Sequence, residues 1–404
     1  MNNTFIPYEK ALSIIATHRS DFKIASRKLV DCIGAYLAED LIADRDFPPF
    51  DRVTMDGIAI DYETFKKGQR TFYIETTAGA GTPQKILQHS QNCIEIMTGA
   101  ILPEGVDTII RYEDLEMKDD SATVKIKEVR HRQNIHFKGS DIAKNSVIVE
   151  KGKRLSSAEI NVAATIGKAN LKVVQFPKAV IISTGDELVP ISAAPKLYQI
   201  RRSNSYGIQH TLKEWGLTAD LAHLPDDQRK MHQEIKVLLG KYELLIFSGG
   251  VSAGKFDYVP EILKSVAIDK HFHKVQQRPG KPFWFGTSSK SHTIFALPGN
   301  PVSSFVCTQI YIKHWLGASL KIPLEEIYAE LNTDIQFKPD LVYFLEASLK
   351  SHPNGKLIAT PVKGNGSGDF ANLVKTDGFL VLPQGQNQFK KGEVYPFVSY
   401  RTTS

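Results

Sequence analysis

The stretch Tyr242–Phe256, YELLIFSGGVSAGKF, contains the pattern on which the predicted fold depends. Its apolar run, Leu244–Phe247, is typical of a buried strand, and a glycine-rich turn follows at once. Gly249, four residues and then a Gly-Lys pair match most of a P-loop, whose backbone N–H groups hold phosphate. The next residue is Phe256, where a P-loop has the serine or threonine that binds Mg²⁺. The stretch therefore predicts a strand that ends in a phosphate-friendly turn, but it departs from the nucleotide-binding loop.

The same order of strand, turn and helix recurs across Pro177–Gly317. Apolar runs alternate with helical patterns, and we predict helices over about Tyr198–Trp215 and after Asp227. Strands that alternate with helices imply a parallel sheet covered on both faces. Ligands of such sheets bind at the carboxyl ends of the strands, where these turns lie. The prediction is a three-layer α/β domain with its candidate loops along one edge.

Other patterns flank this domain. Leu29, Ile33 and Leu37 recur at helical spacing, which predicts helix over about Ile6–Ala43, and a second helix begins at Ser156 or Ser157. Alternating apolar residues predict a β-rich insertion and a C-terminal β-barrel or sandwich. The fold class is therefore a multidomain α/β protein. The predicted domains are a discontinuous helical linker (1–45 and 143–175), a β-rich inserted domain (46–142), the α/β domain (176–325) and the C-terminal β-barrel domain (326–404).

Composition narrows the classes of partner. The chain has 404 residues and a net charge of +6, with no long basic block, so nucleic acid is not expected. No apolar run approaches the ~20 residues that span a bilayer, and the N-terminus does not resemble a signal peptide. Three cysteines lie far apart in the sequence, which favours a reducing compartment such as the cytoplasm.

Acidic and basic residues accompany the glycine turns. Glu187 follows the Gly185 turn and Asp257 follows the P-loop-like turn, while Arg278 and Lys281 flank another glycine. Two charges 4 Å apart interact by ~4 kcal/mol at an effective dielectric near 20, so these carboxylates would repel a phosphate. A divalent cation between them reverses the sign, which predicts Mg²⁺ held by carboxylates. The alternative to a metal or phosphate site is a purely structural role. The acidic residues would then cap helices, and the glycine segments would be ordinary solvent-exposed turns.

Six motifs occur in a fixed order along the chain: PPFDRVTMDG, IMTGAILPEGVDTII, STGDELV, GGVSAGKFDYV, RPGKP and LPGNPVSSF. In this order and at these separations the chain resembles the MoeA family, which is related to the E domains of gephyrin and of plant Cnx proteins. The resemblance covers nearly the whole sequence.

The resemblance implies a homodimer of four-domain protomers, with a MogA-like α/β domain that binds molybdopterin. The active cleft would lie between the α/β domain of one subunit and the inserted and C-terminal domains of the other. The implied enzyme is a cytoplasmic transferase that inserts molybdate into adenylylated molybdopterin and releases AMP with Mg²⁺. Implied partners are a molybdopterin adenylyltransferase and apo-molybdoenzymes, with no nucleic acid and no membrane.

Motif matches imply functional residues. The catalytic set is Asp56, Thr98, Asp141, Glu187 and Asp257, of which Glu187 and Asp257 would bind Mg²⁺. The implied binding residues are Gly185, Asp226, Asp227, Gly249, Gly250, Ser252, Arg278, Lys281, Pro298, Gly299, Asn300, Pro301 and Ser367. Three departures from the family pattern are Arg278 in place of lysine, Ile58 in place of an aromatic residue, and the lack of an arginine before the first C-terminal strand, where Lys338 is the nearest cation.

Two other functions fit parts of the sequence. A nucleoside triphosphate hydrolase would use Gly249–Lys255, although Phe256 argues against it. A pterin-binding scaffold without turnover would keep the loops and lack the chemistry.

Overall fold

A computed structural model describes residues 5–251, 258–323 and 325–401 of the chain. The chain divides into two compact units: Met1–Ala25 with Val174–Ser404, and Ser26–Val173. The division into four domains is finer than this one and stays a prediction.

The larger unit contains a six-stranded sheet. In spatial order its strands are Ala219–Leu224, Ala179–Thr184, Leu244–Ser248, Thr293–Leu297, Trp284–Thr287 and Asp269–His273. The first four run parallel, as the sequence predicts. Each of the last two strands pairs antiparallel with the strand before it in this order, and the sequence did not predict this edge of the sheet. Only residues 288–292 separate Trp284–Thr287 from the next strand, too few for the crossover that parallel pairing needs.

Both faces of this sheet are covered. Ile181 and Ile246 belong to one buried cluster, and their neighbours Ile182 and Phe247 belong to another, as expected when side chains alternate between faces. The helical segments against the first cluster are Tyr8–Thr17, Asn204–Glu214, Pro301–Cys307, the π-helix Thr308–Ile312 and Lys313–Leu320, and those against the second are Gln228–Leu239 and Val259–Ser265. The predicted three-layer arrangement is confirmed.

The helix Asn204–Glu214 begins later than the sequence predicted. Ile200–Arg201 instead forms a short parallel strand pair with Leu188–Val189. These backbone hydrogen bonds hold the residues before Asn204 in an extended conformation, which local periodicity does not encode.

The C-terminal residues form a closed barrel. Its strands are Ile327–Leu331, Val342–Ser351, Leu357–Pro361, Gly378–Leu382 and Val394–Ser399. Val342–Ser351 pairs with both Leu357–Pro361 and Gly378–Leu382, which closes the ring. The remaining elements are the pair Ile335–Gln336 and Gln388–Phe389, the 3-10 helix Phe370–Lys375, and Gln277–Arg278, which adds to Val342–Ser351. The predicted small barrel is confirmed.

A buried carboxyl group makes the barrel sensitive to pH. Burial raises the pKa of Glu346, a hydrogen bond from Asn372 opposes the shift, and the Asp369 charge adds to it. Oε1 of Glu346 is buried and has no hydrogen-bond partner among the described residues. The folded state therefore holds this proton more tightly than the unfolded state, so stability falls as the pH rises above about 4.5.

We expect Glu346→Gln to raise the melting temperature at pH 8, with a gain that shrinks to nothing as the pH approaches 4. Differential scanning calorimetry across this range measures the effect. Glu330→Gln is the matched control in another strand of the same barrel, because Glu330 pairs with Lys356 Nζ at 2.7 Å and its loss gives no gain. A lower melting temperature for Glu346→Gln at pH 8 contradicts the prediction.

The smaller unit is β-rich, as predicted for the insertion. Its six-stranded sheet has the order Thr108–Arg111, Gly57–Ile60, Asn92–Ile96, Thr71–Ala78, Ser121–Val124 and Leu115–Lys118. Short strand pairs join Leu41–Ile42 to Val147–Val149, Arg52–Val53 to Ile135–His136, and Lys23–Lys28 to Asn170–Gln175. The helices are Tyr62–Lys66 and Ser157–Thr165, with 3-10 turns at Leu29–Asp31 and Tyr112–Asp114.

The predicted helix over Ile6–Ala43 is wrong beyond its first part. A helix spans Tyr8–Thr17, and the chain then continues as strand and turns. Gly34 has a φ of +74°, which a helix cannot contain, and Ile33 is 63% exposed although the helical pattern required it inside. A helical linker is therefore not confirmed. Its second predicted helix does exist: Ser156 caps it, and Glu159 completes a capping box.

Candidate functional site

Four loops follow the four parallel strands of the larger unit, as the sequence predicted. They begin at Gly185, Pro225, Gly249 and Pro298, directly after the carboxyl ends of their strands. Parallel strands in register bring these ends to one edge of the sheet. We call this edge, with residues 185–187, 225–227, 249–251 and 298–300, the rim.

Glycine is required at the centre of the rim. Gly249 and Gly250 have positive φ, at +101° and +73°. A Cβ on Gly250 would lie 2.8 Å from Val259 Cγ2 and 2.9 Å from Thr184 Oγ1, and a Cβ on Gly299 would lie 3.7 Å from the Gly249 Cα. The glycine turns after two neighbouring strands therefore lie against each other, and no side chain on them shields the backbone from a ligand.

Two aspartates of the rim are held by each other's backbone. The Asp226 N–H donates to Asp186 Oδ1 at 3.1 Å, and the Asp186 N–H donates to Asp226 Oδ2 at 3.3 Å. Glu187 is exposed, and its carboxylate lies beside Gly185, whose Cβ would come within 2.4 Å of Oε2. The rim therefore keeps three carboxylates close to one glycine turn.

Asp227 is a helix cap in this structure. Its Oδ1 accepts the N–H groups of Arg229 and Lys230, each at 3.0 Å, and these bonds hold the pKa of Asp227 below its usual value. The resemblance implied both Asp226 and Asp227 as binding residues. In the structure Asp227 caps the helix, while Asp226 faces the Gly185 turn.

Hydrogen bonds connect the loop Pro298–Pro301 to Ser367 and to Asn204. Asn300 Nδ2 donates to Ser367 Oγ at 2.9 Å, and the Val302 N–H donates to the Ser367 carbonyl at 3.1 Å. Asn204 Nδ2 donates to the Gly299 carbonyl at 2.8 Å. The structure thus brings Ser367 of the C-terminal region to the start of the helix. The Ser367 carbonyl accepts a hydrogen bond from one of the N–H groups in the first helical turn.

Arg278 and Lys281 lie outside the four loops that form the rim. Arg278 is exposed at the end of the short strand that adds to the barrel, and Lys281 Nζ lies 4.4 Å from the ring centre of Phe5. Gly280 between them is buried, and a Cβ there would come within 2.7 Å of Cys307 Sγ. The small size of Gly280 therefore serves internal packing.

Ser252 and Asp257 lie outside the described residues. Within residues 5–251, 258–323 and 325–401, no group of three or more His, Cys, Asp or Glu side chains is arranged to hold a metal ion. Mg²⁺ commonly takes only one or two carboxylates and completes its shell with water and substrate phosphate. The exposed Glu187 carboxylate fits this mode of binding.

In the smaller unit one short strand organises the candidate residues. Arg52–Val53 pairs with Ile135–His136 and bonds on its other side to the turn at Gly99–Ile101. The Asp56 carboxylate follows this strand and accepts the Thr98 N–H at 2.6 Å. Contacts with Thr98 hold the pKa of Asp56 below its usual value, so this exposed carboxylate is ionised at neutral pH. The structure brings Asp56 and Thr98 into direct contact.

Asp141 is held by a histidine that the sequence analysis missed. His136 Nε2 lies 2.7 Å from Asp141 Oδ1, and Arg52 Nη2 lies 3.1 Å from His136 Nδ1. Arginine only donates, so Nδ1 is the acceptor in this contact, and the N–H at Nε2 is directed to Asp141. Only strand pairing reveals this chain of three side chains, because residues 52 and 136 are far apart in sequence.

We expect His136→Phe to lower turnover about tenfold, since Asp141 loses the donor that fixes its carboxylate. His136→Gln keeps a donor near the position of Nε2 and should restore part of the rate. Steady-state kinetics measure both. His131→Phe is the matched control, because its own 2.7 Å partner, Asp107, is also held by the Tyr62 N–H. Equal losses in the His136→Phe and His131→Phe variants contradict the prediction.

Comparisons with known proteins agree with this architecture. Family models match residues 6–167 (MoeA N-terminal region, domain I and II), 180–318 (probable molybdopterin binding domain) and 328–399 (MoeA C-terminal region, domain IV). A molybdopterin molybdenumtransferase of Synechocystis is 41% identical over 395 residues, covering 96% of this chain and 98% of that protein. One from Staphylococcus aureus strain Mu50 is 30% identical and covers 97% and 95%.

A solved structure shares the fold along nearly the whole chain. The molybdopterin biosynthesis MoeA protein from Pyrococcus horikoshii superposes with a TM-score of 0.83 at 25% identity, covering 98% of this chain and all of that one. In the described part of the chain no helix is long and apolar enough to cross a membrane. The three family models follow one another in order across the sequence, and this chain belongs to the MoeA family.

Proposed function

We propose that the protein is a molybdopterin molybdenumtransferase, which inserts molybdate into adenylylated molybdopterin and releases AMP in molybdenum cofactor biosynthesis. The observation that carries the proposal is the rim, where glycine turns that carry no side chain lie beside carboxylates at the carboxyl ends of parallel strands. Relatives of this name that match over nearly the full chain support it.

The reaction hydrolyses the pyrophosphate bond between the pterin phosphate and AMP, and one water is consumed to form the two phosphate monoesters. The two sulfurs of the pterin dithiolene bind molybdate, and one molybdate oxygen leaves as water with the two thiol protons. The glycine turns would receive phosphate, and the exposed cations Arg278 and Lys281 would add attraction for it. Asp56, Thr98 and Asp141 would supply an ionised carboxylate and polar contacts to the reacting groups.

Mg²⁺ would be held by Glu187 together with substrate phosphate, with Asp257 as a second proposed ligand. When bound, the ion neutralises charge on the phosphates. Without it, a phosphate near Glu187, Asp186 and Asp226 meets three negative groups, which explains why a dication is part of the proposal.

We further propose that the enzyme is a cytoplasmic homodimer. All three cysteines are buried free thiols, which suits a reducing compartment. A molybdopterin adenylyltransferase would supply the substrate, and apo-molybdoenzymes would accept the product.

The test is AMP release, followed by chromatography, from adenylylated molybdopterin with molybdate and Mg²⁺. We expect release to require both molybdate and the metal. Substrate binding without AMP release under any condition would support a scaffold instead. Hydrolysis of ATP at a comparable rate would favour the nucleoside triphosphate hydrolase.

A further inference from the structure

Arg202 lies beside the rim and takes no part in the functions described so far. Its N–H donates to the Val189 carbonyl at 3.0 Å, which ties it to the segment after the Gly185 turn. Two residues later, Asn204 bonds to the Gly299 carbonyl at 2.8 Å and lies 3.3 Å from Ser248 Oγ. One end of this short segment is therefore bonded to the strand that follows the Gly185 turn, and the other end is bonded to the rim at Gly299.

One nitrogen of the Arg202 guanidinium lacks an acceptor. The Nε of Arg202 is buried and has no hydrogen-bond partner within the residues that the structure describes. A buried donor without a partner loses its hydration and gains nothing in return, and the loss is larger for a charged group. A ligand that supplies acceptors to this guanidinium would remove that cost.

The surroundings of Arg202 include a neutral histidine. His223 Nδ1 lies 3.2 Å from the Ser183 carbonyl, which can only accept, so the ring proton is on Nδ1. Burial lowers the pKa of His223 and the nearby Arg202 charge lowers it further, against the opposing charges of Asp186 and Asp226. His223 is therefore uncharged at neutral pH, and Arg202 is the cation at this position.

The neighbouring aspartates leave the guanidinium unpaired. Asp186 and Asp226 accept each other's backbone N–H groups. No ion pair among the described residues includes Arg202. An arginine near the Gly185 turn with a buried, unused Nε–H can donate this hydrogen bond to a phosphate oxygen.

We propose that Arg202 binds a phosphate oxygen of the adenylylated pterin substrate at the side of the rim formed by Gly185 and Asp226. This inference rests on the proposed function. It makes Arg202 a substrate-binding residue and assigns the phosphate, rather than molybdate, as its ligand.

The test compares Arg202→Gln, Arg202→Lys and the matched control Arg201→Gln in the full chain. Arg201 is exposed, and its Nε already donates to the Ala193 carbonyl at 3.1 Å. We expect Arg202→Gln to raise the KM for adenylylated molybdopterin about 10- to 100-fold, with the KM for molybdate unchanged. The KM of the Arg202→Lys variant should lie about midway between those of the wild type and Arg202→Gln on a logarithmic scale. Lysine keeps the positive charge but lacks the planar set of guanidinium donors. Arg201→Gln should match the wild type.

Equilibrium binding of adenylylated molybdopterin without molybdate separates this inference from the proposed function. Wild-type binding without AMP release would refute the transferase and still decide the role of Arg202, because Arg202→Gln should then bind about 10- to 100-fold more weakly. Equal affinity of the Arg202→Gln and Arg201→Gln variants, or a change confined to the KM for molybdate, overturns the inference. No binding by the wild type overturns both. If Arg202→Gln fails to fold by circular dichroism, Arg202→Lys decides.

Discussion

Asp56→Asn is expected to lower the rate of AMP release about 100-fold or more while leaving the fold intact. The carboxylate is exposed and ionised, and its one described bond is to Thr98. Asparagine keeps an acceptor for the Thr98 N–H but removes the negative charge, so the local backbone stays in place. Loss of a group that handles protons or developing charge typically costs two to four orders of magnitude.

Steady-state kinetics and thermal denaturation together test this expectation. The melting temperature should stay close to that of the wild type, as is usual for substitutions at exposed positions. Asp119→Asn is the matched control: it removes the same charge from the same unit at an exposed turn with φ of +39°, where asparagine is also tolerated. Equal rates for the Asp56→Asn and Asp119→Asn variants would exclude a role for the Asp56 charge.

Gly57→Ala, at the next residue, is expected to lower the stability of the fold, whereas Asp56→Asn is expected to lower the rate and leave the fold intact. Gly57 pairs with Ile96 on one side and Arg111 on the other. Its φ is +155°, and a Cβ would lie 1.9 Å from the Ile110 carbonyl oxygen. The atoms that this Cβ would meet are backbone atoms of the paired strand Thr108–Arg111, which cannot move aside without breaking its hydrogen bonds to Gly57–Ile60. We expect the unit Ser26–Val173 to lose at least about 3 kcal/mol of stability.

Fluorescence and hydrogen exchange distinguish where the damage occurs. All three tryptophans, Trp215, Trp284 and Trp315, lie in the larger unit, so their emission reports that unit alone. We expect peptides from the strands beside Gly57 to lose protection from exchange. Gly68→Ala is the control, because Gly68 has a φ of +107° but nothing within 4 Å of its Cβ position, and it should cost about 1 kcal/mol. Equal protection in the Gly57→Ala and Gly68→Ala variants would show that the steric contact does not matter.

Local patterns were sufficient where neighbours in sequence decide the structure. The apolar run Leu244–Phe247 is fully buried as a central strand, and the glycine turns follow the strands that predicted them. Asp227 and Gly240 bound a helix whose inward residues Met231 and Ile235 have helical spacing. These features depend on backbone preferences and on alternation of apolar residues, which act over a few residues.

The same reasoning failed where burial is set from outside the segment. Leu29, Ile33 and Leu37 have helical spacing, yet Ile33 is exposed and Leu37 is buried in a cluster with residues more than a hundred positions away, such as Leu155. Periodicity shows which residues are apolar, but it does not show which of them another element will cover.

The sequence by itself determined a sheet with helices on both faces, a β-rich insertion, a small C-terminal barrel and the loops that surround the candidate site. Only the tertiary structure decided the closure of the barrel through Val342–Ser351, the contact of Ser367 with Asn300, the Arg52–His136–Asp141 chain and the buried Nε of Arg202 without a partner. The first group follows from interactions within a few residues. The second depends on strand register and on packing between residues far apart in the chain, and no local pattern records either.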